Sequence, residues 1–180
     1  MGSETLSHIL KGLGLPEDYG KKRGLPFCGE AKFLVKIGRN PYGKTVYLSP
    51  ETAKAWKKME KAALEDGIEL LPLSGFRSFR TQAAIIRSKL ETGRSLDEIM
   101  TANAPPGYSQ HHTGRALDIC TPDFIVPEKA FDHTPAFQWL ENHAGKFGFV
   151  MSYPEKNPEG FIYEPWHWYF VPSGGNAYIS

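Results

Sequence analysis

Two stretches hold the side chains best placed to do chemistry. The first is Ser109-Gln110-His111-His112-Thr113-Gly114-Arg115-Ala116-Leu117-Asp118; the second, far downstream, is Glu164-Pro165-Trp166-His167-Trp168-Tyr169. Imidazole and carboxylate are good ligand types for a divalent zinc ion, and a catalytic zinc takes three protein ligands and leaves a position for water. One acid is then left over. A spare carboxylate beside a metal-activated water is the base that metal-assisted hydrolysis requires.

These residues need elements that aim them. Arg115, Leu117 and Ile119 alternate with Ala116 and Asp118, as on a strand, so Asp118 projects from one face and a small Ala116 leaves room beside it. Gly114 permits the turn that brings His111 back over that face. The second stretch poses a difficulty. A strand over Phe161–Val171 would send Glu164 and His167, three residues apart, to opposite faces. Pro165 cannot donate to a sheet ladder and sits best at an edge or bulge, so it supplies the bend.

Elsewhere the periodicities alternate between helix and strand. Leu6, Ile9, Leu10 and Leu13 suit a short helix, inside an N-terminal wrap over residues 1–31. Lys21-Lys22-Arg23 reads as a solvated face. Phe33, Val35 and Ile37, then Val46 and Leu48, read as two strands around a loop. Ser49-Pro50-Glu51 opens a helix to about Asp66, with Trp56, Met59, Ala63 and Leu64 inward and Gly67 as its stop. Ile68–Leu73 is a strand, and a helix follows from about Phe79 to Glu91. Ser95-Leu96-Asp97-Glu98 has the form of a capping box. Thr121–His133 reads as a loop, Thr134-Pro135 as the start of a helix to His143, and Phe147–Tyr153 as a strand. The tail 172–180 is glycine-rich and reads as loose. Strand–helix alternation alone fits a parallel sheet as well as an antiparallel one.

The pattern Ser109-x-His111-x-x-Gly114-x-Ala116-x-Asp118, followed by Glu164-x-x-His167, resembles the zinc D-Ala-D-Ala carboxypeptidases of the VanY type. The wider group holds D-Ala-D-Ala dipeptidases, phage L,D-endopeptidases and the Hedgehog signalling domain. Ser74-Gly75-Phe76-Arg77-Ser78 with Gln82, and Lys146-Phe147-Gly148-Phe149-Val150, extend the likeness over roughly Leu48–Val171. The resemblance implies an α+β fold with an antiparallel central sheet carrying the zinc site and helices on one side. It implies zinc held by His111, Asp118 and His167, with Glu164 as base. On the residues alone Arg77 is a surface arginine at a strand end. The resemblance makes it a substrate contact, a role that suits a guanidinium, which grips a carboxylate in two-pronged fashion. Ser109, Gln82 and Trp166 are candidate substrate contacts; for Ser109 a plain structural hydrogen bond is the competing reading. His133 and His143 are rivals for the third ligand position, each lacking an acid at useful spacing.

The expected reaction is removal of a C-terminal D-Ala from a peptidoglycan stem peptide or its precursor. A dipeptidase or endopeptidase cut by the same site, or a zinc-binding module without turnover, stays open. Composition sets the outer limits. The chain has 180 residues, 41% of them hydrophobic and 13% aromatic, with a net charge of +1. That suits one globular domain and gives no electrostatic case for nucleic acid; a monomer is expected, though the sequence does not reveal the oligomeric state. No apolar run is long enough to span a membrane. Cys28 and Cys120 are expected to be free thiols. Met1-Gly2-Ser3 looks like an appended leader and no export signal is visible; the resemblance nonetheless points to the cell envelope or periplasm.

Overall fold

In the computed structural model, residues 5–172 are described; residues 1–4 and 173–180 lie outside them, and with them the expected Met1-Gly2-Ser3 leader and nearly all of the expected loose tail. The alternating segments become two antiparallel sheets. Val35–Arg39 (β1) pairs with Thr45–Leu48 (β2), with a bulge between Lys36 and Gly38. Leu71–Ser74 (β3), Ala116–Cys120 (β4), Phe149–Met151 (β5) and His167–Phe170 (β6) form a sheet in the order β3-β4-β6-β5, antiparallel throughout. This is the α+β architecture the resemblance implies, and it rules out the parallel sheet that alternation alone allows.

The helices are Leu6–Lys11 (α1), Tyr19–Lys22 (α2), Pro50–Glu65 (α3), Phe79–Glu91 (α4), Leu96–Met100 (α5) and Pro135–His143 (α6). Two of them, α3 and α6, cover the Leu117/Ile119 face of the larger sheet, while α1, α4 and α5 pack together in a cluster of their own, so the helices are not all on the one side that the resemblance implies. Helix starts are set by side-chain caps: Ser78, Ser95 and Thr134 each accept from the backbone N–H three residues on. Each such bond satisfies a donor the helix would otherwise leave open. Leu117 and Ile119 of β4 join Trp56 and Met59 of α3, Phe137 and Leu140 of α6, and Trp168 of β6 in one core. A second core joins Leu10 of α1, Ile86 of α4 and Ile99 of α5. The burial of Leu117 and Ile119 against α3 and α6 fixes the strand's orientation, so Ala116 and Asp118 must face the other way.

Several expectations need correction. The last strand starts at His167, and Glu164-Pro165-Trp166 lies outside it. Leu64 is not inward but 63% exposed, because α3 turns that face to water in its last turn. The strand expected from Ile68 begins at Leu71, and the one expected over Phe147–Tyr153 spans only Phe149–Met151. Thr121–His133 is not all loop: Lys129–His133 is a 3₁₀ turn that buries Phe131 in the main core. Arg23 is not solvated like its neighbours. It donates to the carbonyls of Met100 and Glu159 and lies over the Phe161 ring, which ties the N-terminal wrap to the cleft wall.

Candidate metal centre and cleft

His111 sits in a 3₁₀ turn, Gln110–Thr113, closed by Gly114 in the left-handed conformation at φ 66°. A side chain at Gly114 would also meet the Ser49 amide nitrogen at 2.9 Å, so glycine answers both conformation and space. The His111 Nδ1–H donates to the Gly75 carbonyl at 2.6 Å. That bond assigns the tautomer and leaves Nε2 with a bare lone pair. Nε2 is buried with no hydrogen-bond partner and lies 3.4 Å from Asp118 Oδ2.

Asp118 of β4 stands directly opposite His167 of β6 in the sheet register. Directly paired side chains share a face, and His167 Nδ1 lies 2.9 Å from Asp118 Oδ1. His167 Nε2 donates to Gln110 Oε1 at 2.9 Å, and Ser152 Oγ donates to the same oxygen at 2.7 Å. With Nε2 so engaged, Nδ1 is the atom turned toward Asp118 and His111. One ligand atom from each of His111, Asp118 and His167 lies within 4.8 Å of the others, and all three residues are buried. A bare buried imidazole nitrogen beside a buried carboxylate is costly unless something positive lies between them. The set therefore fits a divalent cation. Two imidazoles and one carboxylate with a fourth side open suit zinc.

Burial, with the positive charge of Arg77 adding to it, pushes the His111 pKa down to about 4, so the ring is neutral and able to ligate. Burial works against the Asp118 carboxylate too, but the His111 and His167 imidazoles hold its pKa well below the usual range. Glu164 behaves oppositely. Burial, reinforced by Asp118, pushes it up to about 7, near where a general base works best. Its Oε2 lies 4.0 Å from His167 Nδ1, beside the three-residue group but not part of it. The difficulty over opposite faces is resolved by the turn: His167 N–H donates to the Glu164 carbonyl, and Trp168 Nε1–H to the Pro165 carbonyl.

Arg77, Gln82, Ser109 and Trp166 line the same cavity of about 330 Å³ as His111, Asp118, Glu164 and His167. The Arg77 backbone is pinned from both sides: its N–H donates to the His111 carbonyl and its C=O accepts from His112 Nδ1–H at 2.6 Å. Its guanidinium makes no hydrogen bond or ion pair among the described residues, and Nε is buried without a partner. Burial lowers its pKa, against the opposing pull of Asp118 and Glu164. Gln82 Nε2 donates to the Ala104 carbonyl at 2.8 Å.

The profile of the VanY D-alanyl-D-alanine carboxypeptidase family matches residues 45–173, a span that contains every residue of this centre. The chain belongs to that family. It is 33% identical over 138 residues to a D-alanyl-D-alanine carboxypeptidase of Enterococcus faecium, covering 73% of this chain and 41% of the relative. It is 33% identical over 135 residues to the bifunctional D-Ala-D-Ala dipeptidase and D-Ala-D-Ala carboxypeptidase VanXYC of Enterococcus gallinarum, covering 70% of this chain and 68% of the relative. Among solved structures, the LdcB LD-carboxypeptidase superposes with a TM-score of 0.64 at 33% identity, over 79% of this chain and 65% of that one. The chain thus spans less than half the length of the Enterococcus faecium relative.

Within this VanY-family site, three contributors escape a reading of the sequence. Gln110 orients His167 from a position between motif residues. Tyr153 stacks on His167, with ring centroids 4.9 Å apart at 28°. His112, readable only as a loop histidine, is wholly buried and bridges two segments: besides Arg77 it accepts from the Gly107 N–H at 3.2 Å. Burial pushes its pKa down to about 4, which keeps it neutral for both bonds. No spacing signal marks any of them. The rivals sit elsewhere: the His133 side chain is largely exposed beside Asp132, and His143 bonds the Trp139 carbonyl and stacks on its ring. Both cysteines are free and buried.

Proposed function

We propose that this chain is a zinc-dependent carboxypeptidase that removes a C-terminal D-Ala from peptidoglycan stem peptides or their precursors. Arg77 carries the reading: a buried, pinned, unpartnered guanidinium in the same cavity as a metal-competent triad and a spare carboxylate. A site built to hold a peptide's terminal carboxylate beside a hydrolytic centre requires that combination. His111, Asp118 and His167 would hold the zinc, which supplies Lewis-acid polarisation of the scissile carbonyl and activation of a water. Glu164 takes the attacking water's proton and returns it to the leaving amine. Arg77 fixes the terminal carboxylate and so orients the bond; Ser109 and Gln82 border the same carboxylate, and Trp166 walls the cleft. Such positioning turns an encounter into a near-unimolecular step. Action on mature stem peptides would put the working site at the cell envelope, and action on their precursors would put it in the cytoplasm; no helix among the described residues is long and apolar enough to cross a membrane.

The test is mass spectrometry of a stem pentapeptide ending in D-Ala-D-Ala and of its tetrapeptide, each incubated with wild type and with Glu164→Gln. Loss of a single alanine, abolished in the variant while its zinc content persists, supports the proposal and shows which bond is cut. A second reading has support from the bifunctional relative at 33% identity: release of alanine from free D-Ala-D-Ala would add a dipeptidase activity. Zinc-loaded protein that cleaves none of the three peptides would overturn the carboxypeptidase reading.

A further inference from the structure

The cavity continues past the residues assigned above. Along α4, Gln82, Ile85 and Lys89 all line it, the i, i+3, i+7 spacing of one helix face. At 1.5 Å rise per residue, Lys89 stands about 10 Å beyond Gln82. Lys89 Nζ donates to Asn103 Oδ1 at 3.0 Å, and Asn103 is itself fixed by donating to the Ile99 carbonyl at 2.8 Å. The half-buried ammonium is thus aimed, with two donors unused and no carboxylate in ion-pair reach among the described residues. Arg94 lines the same end, its Nε bonded to Glu98 at 2.9 Å. The cavity's acids, Asp118 and Glu164, belong to the hydrolytic centre. The other end is cationic: burial, and then Arg94 and Arg77, disfavour the charge on Lys89, against the pull of Glu164. Arg94 is already paired with Glu98, so the Lys89 ammonium is the charge that a further anion would relieve.

We infer that Lys89, with Arg94 at the rim, forms a second carboxylate subsite, so that the preferred substrate is a peptide carrying a free carboxylate some three residues before its terminal one. This rests on the carboxypeptidase reading, which puts the terminal carboxylate on Arg77. An extended chain covers about 3.3–3.6 Å per residue, so about 10 Å corresponds to three residues. A side-chain carboxylate on the departing residue would lie too close to the terminal one to reach Lys89. The second anion therefore belongs to the acyl side of the substrate, and the subsite governs which stem peptides are accepted, not which bond breaks.

The experiment compares two peptides, L-Ala-γ-D-Glu-L-Lys-D-Ala-D-Ala with its D-Glu α-carboxylate free and the same peptide with that group as the primary amide. The zinc-loaded wild type should process the acid about tenfold better in kcat/KM, mainly through KM, as a charge-assisted contact at a half-exposed site allows. Lys89→Met should bring the ratio close to one, and Arg94→Gln should lower it part of the way and weaken its salt dependence. Equal kcat/KM for the two peptides in the wild type, or a ratio unchanged in Lys89→Met, would overturn the subsite. If neither peptide is cleaved, the carboxypeptidase reading fails, and binding of both to zinc-loaded Glu164→Gln still decides the subsite. Tighter binding of the acid that is lost with Lys89→Met upholds it, and equal binding refutes it.

Discussion

The carbonyl of Gly75 accepts the Nδ1–H of His111 at 2.6 Å, a bond that spans 36 residues of sequence. It turns the segment after β3 into the support of the metal centre, because only with Nδ1 so occupied is Nε2 left to face Asp118. Gly75 itself is tightly enclosed. A Cβ there would lie 2.4 Å from the Tyr47 carbonyl oxygen and 2.8 Å from Val46 Cγ1. Gly75→Ala must therefore push β2 or the Gly75 peptide aside. We expect a loss of about 1–3 kcal/mol in stability, as for overpacked cores, and zinc affinity at least about tenfold weaker through the displaced carbonyl. Denaturant unfolding and zinc titration against a competing chelator measure the two effects; a variant as stable and as tight as wild type would refute the link.

Gln110 should act on the metal chiefly through His167, although Ser152 donates to the same oxygen. Its Oε1 receives His167 Nε2–H, so Gln110→Ala frees the ring to rotate and removes a partner that raises ligand basicity. Zinc affinity should fall about 10- to 100-fold, the usual effect of losing a residue that orients a ligand. Gln110→Glu, which keeps the acceptor, should recover most of it. A role in general packing alone would predict equal loss in both variants.

Much of this architecture was legible in the sequence because local signals agreed with the global fold. The helix over Phe79–Glu91 has the observed bounds, since Ser78 caps it and a glycine-containing turn ends it. The Leu117/Ile119 alternation correctly gave one face to the core. The last strand starts later than its residue types suggest: Phe161, Tyr163 and Trp166 look like strand residues, while the chain there is held by turns and by Phe161 packing beside Tyr153. Gln110, Tyr153 and His112 stayed hidden for another reason. Each acts through partners between 5 and 57 residues away, and contacts of that kind are made by tertiary packing, which leaves no periodic trace.

Trp168 holds the bend that carries Glu164. Its buried Nε1–H donates to the Pro165 carbonyl at 3.0 Å. Trp168→Phe would keep most of the apolar contact with Phe137 but strand that carbonyl, at a cost of about 1–3 kcal/mol. The freed turn should also blur the position of Glu164. Turnover should fall several-fold with zinc content unchanged. A drop in zinc content equal to the drop in turnover would show that the turn serves His167 instead.

The two thiols should be silent in the native protein. Cys28 is 2% exposed and Cys120 1%, and each donates only weakly to a backbone carbonyl, Pro26 and Leu71 respectively. Burial pushes the Cys28 pKa up to about 11. The thiolate is the reactive form, so at pH 8 only about one molecule in a thousand would carry it even if reagent could enter. Cys120 is shielded by its place in β4 beneath the centre. Alkylation with iodoacetamide at pH 8 should leave native protein unmodified over hours and add two groups once it is unfolded in denaturant without reductant. Two groups in the unfolded state establish that neither cysteine is paired. Rapid native labelling of Cys28 would instead show that the N-terminal wrap, tied to the loop before His111 through the Cys28 N–H and Gly107 carbonyl, opens easily.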